Sequence, residues 1–123
     1  MIIGIGIDIV KTRRIGHWLE DRKLLEKYFN DDELALASSR HANAAQTLAA
    51  RFAAKEAFGK ALGTGLSNIT LKDIIVYNDE NGKPELKLTG TARDAFEKSG
   101  AAKIHISLSH EKDNAVAAVI LEA

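Results

Sequence analysis

The chain contains no cysteine. That absence rules out disulfides, thiolate nucleophiles and cysteine-ligated zinc, and it is compatible with a reducing, cytoplasmic setting. There is no excess of charge of either sign, since 17 basic residues face 17 acidic ones. The global basic field that nucleic-acid binders carry is therefore missing, and no nucleic-acid partner is expected. No apolar run is long enough to span a membrane. The apolar start, residues 1–10, is too short for that, lacks a basic leader and carries Asp8, so neither export nor insertion is expected. Repeats, low-complexity tracts and linkers are also lacking. The Gly63-Thr64-Gly65 turn is too short for a Walker loop, and no lysine-serine pair follows it. Nor is there a glycine-flanked serine of the hydrolase elbow type.

What is present suits one domain over residues 1–123, too short for two independent cores. Residues 2–10 alternate as a strand, with Ile3, Ile5, Ile7 and Ile9 on the face assigned to the core. Gly4, Gly6 and Asp8 share the other face. Two glycines at alternate strand positions suggest that something approaches the backbone closely there. Thr12 is placed as the cap of a helix over residues 12–29, whose surface leans basic through Lys11, Arg13, Arg14, Arg22, Lys23 and Lys27. Asn30 caps a short acidic helix. Asn43 opens a longer one reaching Leu62, with Ala45, Leu48, Ala49, Phe52 and Ala53 as its apolar stripe and Gly63 to Gly65 as its stop. Residues 73–77 and 85–88 form a hairpin around Asn81-Gly82. Thr89 caps a further helix closed by Gly100, and residues 103–110 and 115–121 are two more strands. The resulting fold class is α+β: a mostly antiparallel sheet packed against a long helix.

Three groups of residues could carry chemistry. On the long helix, Glu56 shares a face with Phe52 and Lys60. By spacing alone this is an ordinary surface Glu–Lys pair. The neighbouring apolar stripe, however, puts Glu56 at the edge of the core, where a carboxylate needs a cation, either Lys60 or a metal ion. Asp8 poses the same choice between a turn residue and a ligand. If the two carboxylates met, they would make a hard oxygen site suited to magnesium. The third group is His105, Ser107 and Ser109, which strand alternation places on one face. That row is either the solvated side of a half-buried sheet or a set of donors for phosphate or ribose. Zinc through His105 and His110 is excluded, because five residues along a strand put them on opposite faces.

Taken in order, the motifs resemble the holo-acyl-carrier-protein synthases, the short bacterial type of phosphopantetheinyl transferase. The resemblance rests on Gly4-Ile5-Gly6-Ile7-Asp8-Ile9-Val10, Arg51-Phe52-Ala53-Ala54-Lys55-Glu56-Ala57 and Lys60-Ala61-Leu62-Gly63-Thr64-Gly65. Asn81-Gly82-Lys83-Pro84 and His105-Ile106-Ser107-Leu108-Ser109-His110 extend it over almost the whole chain. It implies the 4′-phosphopantetheinyl transferase fold, with magnesium bound by Asp8 and Glu56 and the coenzyme A phosphates met by Lys60. Gly63, Gly65, His105 and Ser107 would line the coenzyme A site. Arg14, with Arg13 and Arg22, would dock the acidic helix of an apo acyl-carrier protein. The family also implies a homotrimer with active sites at subunit interfaces, and a default role in fatty-acid synthesis. Asn114 stands where that pattern has an aromatic residue, and Thr12-Arg13 departs from a commoner acidic helix start.

The reaction so implied is attack by a carrier serine on the β-phosphorus of coenzyme A, releasing 3′,5′-ADP. Asp8, Glu56 and an interface residue all remain open as the general base. Two rivals keep some of the same features: a coenzyme A- or carrier-binding module without catalysis, and a magnesium-dependent phosphoester hydrolase with water as acceptor.

Overall fold

In the computed structural model, which describes residues 1–123, β1 (Ile2–Lys11) pairs antiparallel with β5 (Asn114–Glu122). β5 in turn pairs antiparallel with β4 (Lys103–His110), which gives a three-stranded sheet of order β1-β5-β4. A separate hairpin joins β2 (Ile74–Asn78) to β3 (Pro84–Leu88). In its turn Asp79 Oδ1 accepts from the Asn81 and Lys83 N–H groups, and Gly82 supplies the positive φ of 81° that a side chain would resist.

The helices are α1 (Thr12–Gly16), α2 (Arg22–Tyr28), α3 (Asp31–Ser39), α4 (Ala44–Leu62) and α5 (Gly90–Ser99). α4 is buried on nearly every side and lies across the inner face of the three-stranded sheet. The result is a single α+β domain built around one helix.

The first strand reverses the expectation for its faces. Ile3, Ile5, Ile7 and Ile9 point outward, Ile5 with 64% of its surface exposed, whereas Gly4, Gly6, Asp8 and Val10 face α4. Alternation separates the two faces, but packing against α4, and not hydrophobicity, selects the inner one. Alanine-rich α4 and glycine-bare β1 pack backbone to backbone: a Cβ on Gly4 would overlap the carbonyl oxygen of Ala61, and one on Gly6 that of Ala57. A bulky inward row would push the helix away. On β5 the inward residues Ala115, Ala117, Val119 and Leu121 are fully buried.

The expected helix over residues 12–29 is two helices. α1 stops at Gly16, and Asp21 restarts the chain as N-cap of α2 by accepting from the Leu24 N–H at 3.2 Å. The break lets Trp18 stack on Tyr28 and meet Phe52 edge-on, with centroids 5.2 and 5.3 Å apart. Thr12 is the first helical residue rather than a cap, with Lys11 preceding it. Asn43 ends a 3-10 turn (His41–Asn43) and makes no side-chain cap on α4. Thr89 occupies the N-cap of α5, yet the capping carboxylate comes from Asp73, which accepts from the Thr91 N–H at 2.8 Å. Asn30 caps α3 as expected, in a reciprocal capping box with Glu33. Gly63 and Gly100 close α4 and α5 in the left-handed conformation. No helix is long and apolar enough to cross a membrane.

Candidate active site

The glycine-lined contact between β1 and α4 decides which side chains meet. Because no side chain intervenes at positions 4 and 6, the next inward residue, Asp8, reaches the flank of α4. Lys60 Nζ donates to Asp8 Oδ1 at 2.9 Å and to the Ile7 carbonyl at 3.1 Å. The Asp8 carboxylate is 16% exposed and the lysine side chain 53%. The helix spacing favoured a Glu56–Lys60 pair, but Lys60 takes its hydrogen bonds from the strand instead.

Glu56 lies one turn before Lys60, half-buried. Burial raises its carboxyl above the usual glutamate range, and the charge of nearby Asp8 raises it further, while Lys60 and Arg14 pull the other way. Two carboxylates thus stand within electrostatic reach, with two cations beside them. The mouth of this contact is a shallow hollow of about 440 Å³ bordered by Asp8, Lys60, Ile7, Ile9 and Val116.

Arg14 comes from α1. Its guanidinium lies 5.4 Å from the Trp18 ring centroid and 5.3 Å from that of Phe52, a cation–π seat at the edge of the same site. Arg13 stands further along, beside Lys11, Asp113 and Asn114. Arg22 is in an exposed ion pair with Glu26 at 2.9 Å, so its charge is shared.

His105 and Ser107 lie elsewhere in the protomer. They occupy the outer face of β4, across β5 from β1, and His105 Nε2 is 2.8 Å from Glu122 Oε1. Gly63 and Gly65 follow the end of α4, both at positive φ. Within one chain, then, Asp8, Glu56, Lys60 and Arg14 converge, and His105 and Ser107 do not join them.

Sequence reasoning missed a second polar region on the far side of α4. Lys55 and Glu33 form an ion pair at 2.7 Å with both side chains fully buried. Arg51, one turn earlier and only 3% exposed, has no hydrogen-bond partner at Nε or Nη2. Burial lowers the guanidinium's proton affinity, which Glu33 partly restores and Arg40 lowers again. An orphaned buried donor costs about 1–3 kcal/mol, so these two N–H groups favour an acceptor, water included. Arg51 lines a hollow of about 220 Å³ with Arg40, Thr47, Asn78, Pro84 and His110. The only signal in the sequence was that Arg51 and Lys55 fall on the helix already singled out for Glu56.

Comparison with known proteins identifies the family. The family model for the 4′-phosphopantetheinyl transferase superfamily matches residues 4–120. A holo-[acyl-carrier-protein] synthase from Treponema denticola is 58% identical over 122 residues, 99% of each chain. Among solved structures, a holo-(acyl-carrier-protein) synthase from Bacillus anthracis in complex with CoA (3′,5′-ADP) superposes with a TM-score of 0.83 at 38% identity. That match covers 100% of this chain and 98% of the other. The enzyme from Neisseria meningitidis gives 0.88 at 33% identity, with full coverage of both chains.

Proposed function

Because the chain belongs to the 4′-phosphopantetheinyl transferase superfamily, among its holo-acyl-carrier-protein synthases, we propose that it moves 4′-phosphopantetheine from coenzyme A to an acyl-carrier serine at the Asp8–Glu56–Lys60 site. The observation that carries the reading is the convergence of these three side chains where glycine-bared β1 meets α4.

Phosphoryl-type transfer asks a protein mainly for alignment and for positive charge where negative charge gathers. The chain has no cluster of three metal-ligating side chains, but two carboxylates suit magnesium, which commonly takes one or two of them together with substrate phosphates and water. Asp8 and Glu56 would hold it. Burial first and the Asp8 charge second raise the Glu56 carboxyl, and a bound cation would relieve the repulsion between the two. When bound, magnesium supplies Lewis acidity to the pyrophosphate.

The remaining steps fall to the chain's own residues. An ammonium has three N–H donors, and Lys60 spends two on Asp8 and Ile7. The third is free for a phosphate oxygen on the leaving 3′,5′-ADP side. Arg51, with Arg40 and His110 beside it, offers a second place for a coenzyme A phosphate, and its unpartnered donors support that reading. Arg14, held between two rings beside the site, is suited to an acidic carrier helix, with Arg13 and Arg22 as outlying charges.

The apolar row of Ile3, Ile5, Ile7 and Ile9, with the half-buried outward residues of β5, leaves one sheet face uncovered. A homotrimer built on that face would bury it. His105 and Ser107, remote from Asp8 within one chain, would then have to complete the site from a second chain. Fatty-acid synthesis in the cytoplasm is the pathway that such a carrier substrate implies.

The test is intact-mass analysis of apo acyl-carrier protein incubated with this protein, coenzyme A and magnesium. The carrier should gain one phosphopantetheine, and the gain should vanish with EDTA and in folded Asp8→Ala and Glu56→Ala variants. Full transfer by either variant would remove the metal assignment. Release of free phosphopantetheine without carrier modification would make the protein a hydrolase.

A further inference from the structure

The buried pair beside Arg51 has an arrangement that stability alone does not explain, since buried ion pairs are often replaceable by apolar residues without loss. Lys55 Nζ donates to Glu33 Oε1 at 2.7 Å, to the Tyr28 carbonyl at 2.7 Å and to the Leu71 carbonyl at 3.1 Å. All three of its protons are used. Glu33 is equally engaged. Oε1 also accepts from the Asn30 N–H at 3.1 Å, and Oε2 accepts from the Val76 N–H at 3.1 Å.

Arg51 lies on the same face of α4 as Lys55, four residues earlier, and close enough to Glu33 to feel its charge. A guanidinium near a buried carboxylate would ordinarily turn to pair with it, in bidentate fashion. Here it does not, and Nε and Nη2 remain without acceptors. The difference lies in Lys55. Its compact ammonium suits three converging acceptors, two of them carbonyls, and it already neutralises Glu33. Two buried cations then share one buried carboxylate, and the surplus positive charge sits on Arg51 at the wall of the hollow.

We propose that Lys55 is a positioning residue for coenzyme binding: by saturating Glu33 it keeps the Arg51 guanidinium unpaired and available to an anionic group of the nucleotide. The proposal rests on the reading of the Arg51 hollow as a coenzyme phosphate site. Without the lysine charge, Glu33 becomes an uncompensated buried carboxylate, and Arg51 is the buried cation within its reach. Arg51 turns inward and the hollow loses its anion receptor.

The experiment measures 3′,5′-ADP affinity by calorimetry, together with the KM for carrier protein, in the full-length protein. Lys55→Met should weaken nucleotide binding by roughly 10- to 100-fold, the loss of one charge-assisted hydrogen bond, and leave the carrier KM unchanged. The double variant E33Q/K55M, which has no carboxylate to attract Arg51, should bind nucleotide as the parent does. A merely structural role for the pair would lower the melting temperature of Lys55→Met without this affinity loss and its rescue. Parental affinity in folded Lys55→Met, or a double variant as weak as the single, overturns the proposal. Should Lys55→Met not fold, Lys55→Gln carries the same comparison, because it can keep polar contact with the Tyr28 and Leu71 carbonyls. Arg51→Met separates the two levels. Parental affinity there overturns the reading of the hollow itself, whereas weak binding there with full affinity in Lys55→Met overturns only the role of the lysine.

Discussion

Gly6→Ala is the substitution that tests the geometry of the site most directly. A Cβ at this position would overlap the Ala57 carbonyl oxygen and would lie 2.7 Å from Ala61 N and 2.9 Å from the Ala57 carbonyl carbon. All three obstacles are helix backbone, so no side chain can rotate out of the way. β1 and α4 must separate by roughly an ångström in a close-packed interior. Overpacking of this kind costs about 1–3 kcal/mol, and the rigidity of the obstacle puts Gly6→Ala at the upper end. For a domain of this size the melting temperature should fall by about 10 °C. The rate should suffer more than stability does. Asp8 is the next residue on the same face, and misplacement by about an ångström commonly costs on the order of 100-fold in turnover. The assay is the initial rate of carrier modification at a temperature where circular dichroism shows the variant folded. Gly16→Ala is the control, since its nearest new neighbour is the Ala45 Cβ at 4.0 Å; it should change stability by no more than about 0.5 kcal/mol. Parental melting and parental rate in Gly6→Ala would refute the argument that glycine sets the approach of strand to helix.

Glu56→Gln should abolish transfer yet raise the melting temperature of the metal-free protein. The Glu56 carboxyl is raised in the folded state, by burial first and Asp8 second. Its contribution to stability is therefore full at acid pH and lost as pH rises through the folded-state value. Removing the charge should help at neutral pH by at most about 1 kcal/mol after solvent screening, and the advantage should shrink as pH falls toward the ordinary glutamate range. A lower melting temperature at neutral pH would contradict this. Ile5→Lys, on the exposed apolar row, should leave the protein monomeric in light scattering if the proposed homotrimer forms on that face, and depress activity with it. An unchanged mass would remove β1 from the interface.

Local signals carried much of the fold. The Asn81-Gly82 turn, the left-handed stops at Gly63 and Gly100 and the alternation of β4 were all legible, because each depends on residues near one another in sequence. The inside face of β1 was not. Period two separates the faces, but which one packs depends on α4, whose alanines accept a bare backbone. The break at residues 17–21 depends on the same partner, since Trp18 leaves the helical path to meet Phe52. For the site, the spacing identified Glu56 and Lys60 but favoured pairing them with each other; Asp8 with Glu56 was a hypothesis from their chemistry, and the resemblance joined all three. The Glu33–Lys55–Arg51 group was hidden for a similar reason. Glu33 follows Asp31 and Asp32 in what reads as the first turn of a short acidic helix, and its burial comes from α4 and β2 folding over it.

The pairing of Lys60 joins the stability of this site to its chemistry. An i,i+4 Glu–Lys pair on a helix contributes about 0.2–0.5 kcal/mol, which is less than a lysine gains from two acceptors held at fixed distance. β1 presents two such acceptors, the Ile7 carbonyl and Asp8 Oδ1, because its glycines bring it against α4. Lys60 therefore crosses to the strand, and Glu56 keeps a like-charged neighbour without a hydrogen-bonded cation of its own. That repulsion is a cost to the fold while the two carboxylates stand alone, and it would become attraction for a divalent ion held by both. The close strand–helix contact thus produces the local destabilisation and would produce the proposed cation affinity, so a variant that relieves one should weaken the other.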